Sequence, residues 1–363
     1  MKIAILGTRG IPNNYGGFEQ CAEKLSERWV KEGHEVTVYN PDEHSFKEPE
    51  WKGVKIKHVF SKESRFGIWG TFIYDYLCLR DAVKEDFDII LNLGYVPSAL
   101  FFSLKKKTKA KFVTNMDGLE WMREKWNSVL KRFIRYCERK ALKYSDGLIF
   151  DNKGIRDYYF EHFGVDGDVI PYGAEVFNNP DTEVLKKYNV EEFEYFLLIA
   201  RFEPENNIKT VIEGYLQSNA KYPLLLVGNP GTAYGKMLKK EYGSSEKVRF
   251  LGAIYNQNEL GTLRLFSRLY FHGHSVGGTN PSLLEAMASR CYVVAHDNIF
   301  NRSVLGENGL FFSDSKQLAE IINSFDERKR EVFAENNVKK IIEHYNWDLM
   351  SQKYLEAFNK ALN

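Results

Sequence analysis

The stretch from Phe271 to Arg290, FHGHSVGGTNPSLLEAMASR, concentrates groups that bind anions and sugars. An apolar run ending at His272 reads as a strand and Pro281-Ser282 opens a helix. His274, Ser275, Gly277, Gly278, Thr279 and Asn280 fill the turn between them. Paired glycines let a backbone approach a ligand closely, while the first turn of a helix offers unpaired N–H groups and a positive dipole end to a phosphate or diphosphate. Glu285, one turn inside, is then suited to accept hydrogen bonds from ribose hydroxyls, as acidic residues do in nucleotide sites. His272 and His274 have two readings, bonding to phosphate or sugar hydroxyls and plain core packing.

A turn of this kind belongs at the carboxyl end of a parallel sheet. In the first half, KIAILG, HEVTVYN, VKIKHVF, FDIILNLG, AKFVTNMDG and DGLIFDN read as strands. The helical segments GFEQCAEKLSERWVKEG, a stretch around Tyr74 to Lys84 and a basic helix over Ser128 to Tyr144 lie between them. After VIPYGAE the pattern restarts with YFLLIAR, YPLLLVGNP, VRFLGAI, LYFHGHS and CYVVAHD. A chain of 363 residues exceeds one ordinary core. The expectation is two doubly wound α/β domains, 1–173 and 174–346, facing a central cleft, with a last helix over 347–363 packing back onto the first.

Composition narrows the class. A net charge of +1 and 44% hydrophobic residues exclude both a nucleic-acid-binding polycation and a disordered chain. The four cysteines, Cys21, Cys78, Cys137 and Cys291, form no CxxC pair, so neither a zinc site nor a disulfide framework is indicated. MKIAILG reads as a strand and not as a secretory leader, and no run is apolar enough to span a bilayer.

Three segments carry a family resemblance. LEAMASRCYVVAHD resembles the LEAMAxGxPVVA signature of retaining glycosyltransferases with the GT-B fold, the large family that contains mannosyl-, glucosyl- and rhamnosyltransferases. TRGIPNNYGGFEQCAEKLSERWVKEGHEVTVY resembles its amino-terminal GGxE…GHEVTV signature, and IARFEPENNIKTVIEGY resembles GRLxxxKG, which opens the second domain. GTRGIPNNYGGFE, MDGLEW, SDGLIFDNKGIRDYY and HSVGGTNPSLLEAM look like a bacterial subgroup that includes rhamnosyltransferases of surface-polysaccharide assembly.

The resemblance implies a nucleotide-diphosphate-sugar donor gripped by Arg201, Lys209, the turn His274 to Asn280, Ser282 and Glu285. The YGGFE loop would close on the phosphates through Gly16 and Gly17, with Tyr15, Glu19, Asp117 and Glu120 meeting the acceptor. Arg201 and the helix start at Ser282 would stabilise the leaving diphosphate, and Asp117 would receive or orient the acceptor hydroxyl. Three positions depart from the family. Gly277 stands where a donor-contacting Glu is usual, Asn206 where a phosphate-binding Lys is usual, and Met116 where the His of TxHD is usual.

The resulting expectation is a metal-independent, cofactor-free, retaining transferase moving L-rhamnose from dTDP-L-rhamnose to a lipid-linked glycan. UDP-galactose, UDP-glucose and GDP-fucose are the other donors considered. The rival readings are a nucleotide-sugar 2-epimerase of the same architecture and a non-catalytic nucleotide-sugar binding protein. From Lys105 to Lys143 the chain has thirteen Lys or Arg against four Asp or Glu. Along the 128–144 helix Val129, Leu130, Phe133, Ile134, Cys137 and Ala141 form one apolar stripe. That run predicts a cytoplasmic protein held peripherally at the inner face of the cell membrane by charge and not by insertion.

Overall fold

The computed structural model of the chain describes residues 1–123 and 126–363. Glu124 and Lys125, counted in the basic run, lie outside the described residues. Two compact units emerge, one of Met1–Met122, Trp126–Tyr172 and Trp347–Asn363, the other centred on Gly173–Asn346.

The first unit begins with β1 (Lys2–Leu6), α1 (Gly17–Lys31), β2 (Glu35–Pro41), β3 (Glu50–Trp51) and β4 (Val54–Val59). It continues through α2 (Glu63–Phe66), α3 (Ile68–Ala82), β5 (Ile89–Leu93), 3-10 turns over Ser98–Lys107 and β6 (Lys111–Asn115). The basic helix α4 (Ser128–Tyr144), β7 (Gly147–Phe150), α5 (Lys153–Phe163) and β8 (Asp168–Val169) complete its main stretch. Its eight-stranded sheet has the order β3-β4-β2-β1-β5-β6-β7-β8, parallel except for β3 against β4. The central strands read as unbroken apolar runs because both faces are covered, and Ile3, Ile5, Ile89 and Leu91 are wholly buried. Helix α4 starts where Asn127 Oδ1 accepts the Leu130 N–H at 3.0 Å, and it turns Ile134, Cys137, Glu138 and Ala141 inward. Val129, expected on that apolar stripe, is exposed, because it lies in the first turn before the helix reaches the core.

The second unit follows with α6 (Glu183–Lys187), β9 (Phe196–Ile199), α7 (Ile208–Gln217), β10 (Leu224–Val227), α8 (Ala233–Tyr242) and β11 (Val248–Gly252). Then come α9 (Gln257–Leu265), β12 (Leu269–His272), α10 (Pro281–Ala288), β13 (Val293–His296), α11 (Ile299–Leu305), β14 (Leu310–Phe312), α12 (Ser315–Ser324) and α13 (Lys329–His344). All six strands are parallel in the order β11-β10-β9-β12-β13-β14, the dinucleotide-type arrangement 3-2-1-4-5-6 when counted within the unit. Its core is aliphatic and aromatic, with Phe196 and Phe271 stacked at 5.8 Å between ring centroids on adjacent strands. Each such side chain contributes about 1.5–3 kcal/mol on burial.

The last helix, α14 (Trp347–Leu362), returns to the first unit. Trp29 of α1 meets Phe358 edge-on at 5.2 Å and Tyr354 at 6.0 Å, and Arg28 Nε reaches Asp348 Oδ1 at 2.7 Å. The packing also serves a loop, since Asn115 Nδ2 at the end of β6 donates to Tyr354 Oη at 2.8 Å.

Candidate functional site

In open parallel sheets, ligands bind beyond the carboxyl ends of the strands, where the strand order reverses. In the second unit that point lies between β9 and β12, and the loops leaving these two strands are stitched together. Asn207 Nδ2 donates to Gly273 O at 2.8 Å, while the Ser275 N–H and hydroxyl both donate to Glu205 O, at 3.0 and 2.9 Å. Gly273 is required there, because a Cβ on it would lie 2.1 Å from Asn206 O. Arg201 sits exposed at the mouth of the first loop, its carbonyl accepting from Asn206 Nδ2 at 2.7 Å. Asn206 is buried, so where the family pattern has a phosphate-binding cation this chain has an amide that ties its own loop.

The second loop carries the glycine turn. Gly277 has a φ of 119° with open space around it, a conformation that strains any L side chain. The absent Glu is therefore accompanied by a backbone a Glu would not adopt without strain. The turn borders a small cavity of about 10 Å³ together with Asn298, Phe300 and Asn301. Asn298 and Asn301 each donate an amide N–H to the His274 carbonyl at 3.0 Å, fixing the turn from the side of α11. Sequence reading passed over both, and the signal was the sequence DNIFN directly after a strand. The rings of His272 and His274 stack at 4.3 Å. Burial, with His296 adding to it, pushes His272 down to about 3, and burial with the neighbouring His272 holds His274 well below the ordinary range. Both are neutral at pH 7. His272 has the core position, while His274 lines the cavity.

Helix α10 starts as expected at Pro281, but Asn280 Oδ1 accepts both the Ser282 N–H and its hydroxyl at 3.0 Å. The Ser282 amide is thus capped from within the chain. Thr279 is buried, and Gly278 lines the cavity. Glu285 meets a partner the sequence did not disclose: Arg264 Nη2, at the end of α9, donates to its Oε2 at 2.5 Å. Arg264 is buried. Burial is the strongest single influence and opposes its charge, but Glu285, with Tyr270 and Cys291 adding to it, holds the guanidinium above its ordinary range. Lys209, the expected substitute cation, points at α8 instead, with Nζ 3.0 Å from Glu241 and 3.8 Å from Glu213. Those carboxylates hold the ammonium, while the backbone N–H of Lys209 donates to the Tyr234 hydroxyl at 3.3 Å.

In the first unit, the loop from Gly7 to Gly16 leaves β1 at the corresponding reversal of strand order. Glu19 in the first turn of α1 is buried, and its carboxylate accepts the Arg9 N–H at 2.7 Å. Burial raises its pKa against that bond. Glu19 consequently clasps the loop to the helix start and faces inward, whereas the expectation had it meeting an acceptor. Asn40 holds the same loop by accepting from Ile11 N and donating to Ile11 O. Gly16 is the N-cap of α1 and Gly17 its first residue. Tyr15 is half-exposed, with the Arg9 guanidinium 4.1 Å from its ring centre, and Arg9 Nη2 is paired with Glu63 at 2.5 Å. Arg9 escaped sequence reading because its partner lies 54 residues away.

Asp117 follows β6 with a φ of 54°, a left-handed conformation that Asp tolerates better than most residues. Asn115 Oδ1 accepts its N–H at 2.9 Å, and Tyr354 in turn receives the Asn115 amide, so α14 helps set the aspartate. Glu120 Oε1 accepts the Trp126 indole N–H at 3.0 Å. Met116 is wholly buried and its N–H donates to Ile149 O, so the departure from TxHD puts a core residue beside Asp117. Among the described residues, no group of three or more His, Cys, Asp or Glu side chains is arranged to hold a metal ion.

Comparison with known proteins fits this geometry. Residues 1–175 match a model described as a domain of unknown function (DUF1972), and residues 181–347 match the glycosyl transferases group 1 model. No curated protein matches the chain. Among solved structures, the sucrose-phosphate synthase of Thermosynechococcus elongatus superposes with a TM-score of 0.80 at 15% identity, covering 99% of this chain and 98% of that one. Anabaena HepE in complex with UDP-glucose gives 0.77 at 16% identity, covering 99% of each chain. WaaG, a glycosyltransferase involved in lipopolysaccharide biosynthesis, gives 0.74 at 16% identity over 98% of each. The neighbours identify the fold as GT-B and the family model gives the class: residues 181–347 are a group 1 glycosyl transferase domain, and the chain is a glycosyltransferase.

Proposed function

We propose that the enzyme transfers L-rhamnose from dTDP-L-rhamnose, with retention and without a metal ion, to a hydroxyl of a lipid-linked glycan at the cytoplasmic face of the membrane. The observation that carries the donor half is the stitched pair of loops after β9 and β12, which holds Arg201 and the Gly277 turn at the reversal point of a dinucleotide-type sheet. Arg201 pairs with the diphosphate, bidentate contacts being the strong geometry for a guanidinium. Glu285, locked by Arg264, accepts from the ribose hydroxyls.

In this reading the bond between the anomeric carbon and the diphosphate oxygen breaks, and the electron pair leaves with the nucleotide diphosphate. The acceptor oxygen bonds to the anomeric carbon on the same face, and its proton passes to a diphosphate oxygen or to Asp117. The chain's contribution is charge management at the leaving group, which strengthens as the bond breaks. Support for a deoxysugar comes from the subgroup resemblance and from the turn itself, where Gly277 presents no carboxylate to the sugar. Among the neighbours, HepE has been solved with UDP-glucose and WaaG is named for lipopolysaccharide biosynthesis. Those facts support a nucleotide-sugar donor and a surface-glycan acceptor here. No helix among the described residues is long and apolar enough to cross a membrane.

Thermal shift against dTDP-L-rhamnose, UDP-glucose, UDP-galactose and GDP-fucose tests the donor. A ligand at 100 times its Kd stabilises by about 2.7 kcal/mol, so the true donor stands out. A shift with UDP-glucose and none with dTDP-L-rhamnose rejects the rhamnose assignment.

A further inference from the structure

The first unit has an apolar surface that its described residues leave uncovered. Helices α2 and α3 meet at Gly67, and around that corner Phe66, Ile68 and Trp69 are exposed, Trp69 by 69% and Ile68 by 53%. Along α3, Trp69, Ile73 and Tyr76 recur at helical spacing opposite the buried Gly70, Tyr74, Cys78 and Ala82. The helix is thus apolar on two faces, and a helix of that kind is ordinarily buried on both.

The bare face extends to its neighbours. Trp69 contacts Phe72 at 5.6 Å between ring centres, and Phe72 contacts Phe133 of α4 at 5.7 Å. Val129, one turn before Phe133, is 63% exposed. On the other side Tyr76 meets Phe101 of the 98–107 turns at 5.1 Å. Exposed cations border the same helices: Arg65 and Arg80, Lys106 and Lys107, and Arg132 and Arg139. None of the six lies within ion-pair distance of a carboxylate among the described residues, although Lys105 is paired with Asp146.

We propose that this face, with Ile68, Trp69, Ile73 and Val129 at its centre, inserts into the headgroup region of an anionic phospholipid bilayer while the bordering cations meet lipid phosphates. Amphipathic Trp and Tyr rings favour that depth, and long Lys and Arg side chains reach phosphates from it. A second copy of the chain fits less well, because an isologous contact through this face brings two cationic borders together. The proposal rests on the membrane-face reading above and changes its mode, from charge alone to charge with insertion.

Sedimentation with phosphatidylcholine vesicles and with vesicles containing phosphatidylglycerol tests it. Wild type is compared with Ile68→Ser/Trp69→Ser and with Lys106→Ser/Lys107→Ser. Donor-induced thermal shift and gel-filtration size are read on the same samples. Wild type should bind the anionic vesicles and keep part of that binding at high salt. The apolar double variant should need roughly tenfold more lipid for half-binding, the loss expected for two interfacial apolar side chains, with an unchanged donor shift. Binding that salt abolishes and the apolar variant leaves intact overturns insertion but keeps the membrane-face reading. Absence of wild-type binding to either vesicle overturns both. A wild-type dimer that the apolar variant converts to monomer assigns the face to a second copy and overturns the proposal.

Discussion

Replacing Glu285 by Leu should destabilise the second domain more than replacing its partner Arg264 by Met, although both remove the same ion pair. The Arg264 side chain is 3% exposed and that of Glu285 21%. Without Glu285, Arg264 keeps a buried charge and loses its anion; breaking a buried pair this way costs about 3–5 kcal/mol. Without Arg264, Met fills an apolar site and the remaining carboxylate reaches water, so the cost is nearer about 1–3 kcal/mol. For a domain of this size each kcal/mol moves Tm by about 2–4 °C, which puts Glu285→Leu roughly 6–20 °C below wild type. Calorimetry of both single variants and the double variant measures the pair as a cycle. The double variant should recover stability relative to Glu285→Leu, since the stranded charge is gone. Equal Tm losses for the two singles, or none for Glu285→Leu, would refute the claim that the pair is buried and that Arg264 depends on it.

Asp117→Asn keeps the left-handed backbone tolerance and should lower kcat well below wild type while leaving Tm within about 1 °C; a matching loss of Tm and of active fraction would mark Asp117 as structural. Burial depresses His272 to about 3 and lowers His274. The unfolded chain therefore binds more protons, so second-domain stability should be full above an unfolded pKa of about 6.5 and fall as pH drops toward 3. Urea melts across that window check the sign, and His272→Asn/His274→Asn should flatten the slope. In the first domain, burial and then the Glu63 charge raise Asp75 to about 7. Its stabilising protonated form is lost as pH rises from about 4 through 7, so Asp75→Asn should raise the first-domain Tm at pH 8 and not at pH 4.

Much of the framework was readable because it is local. The apolar runs KIAIL, FVT and FLLI are strands buried on both faces, and α4 spans Ser128–Tyr144 because Asn127 caps it and its inward residues recur at helical spacing. Helix α3 starts at Ile68, six residues before the expected Tyr74, because Gly67 has no side-chain cap and so leaves no start signal. At the site, residue types located the glycine turn and the start of α10, but side-chain partners depend on distant chain. Arg264 reaches Glu285 across 21 residues, Asn40 holds Ile11 across 29, and Tyr354 orients Asn115 across 239. Lys209 illustrates the limit: its place one helical turn after Asn206 made it a possible substitute for the missing phosphate-binding Lys, while Glu241, contributed by α8, claims its ammonium. The apolar stripe of α4 likewise gave no sign that Val129 and the outward face of α3 stay bare.

The most direct test of the account is a transfer assay with dTDP-L-rhamnose and a glycan acceptor, read as nucleotide diphosphate release and as the anomeric configuration of the product by NMR. Wild type should release nucleotide diphosphate only when acceptor is present and form a product with the donor's anomeric configuration. Arg201→Ala should lose about 2–4 kcal/mol of transition-state stabilisation, some 30- to 900-fold in kcat/KM. An epimerised sugar formed without acceptor, an inverted product, or wild-type turnover by Arg201→Ala would contradict the account.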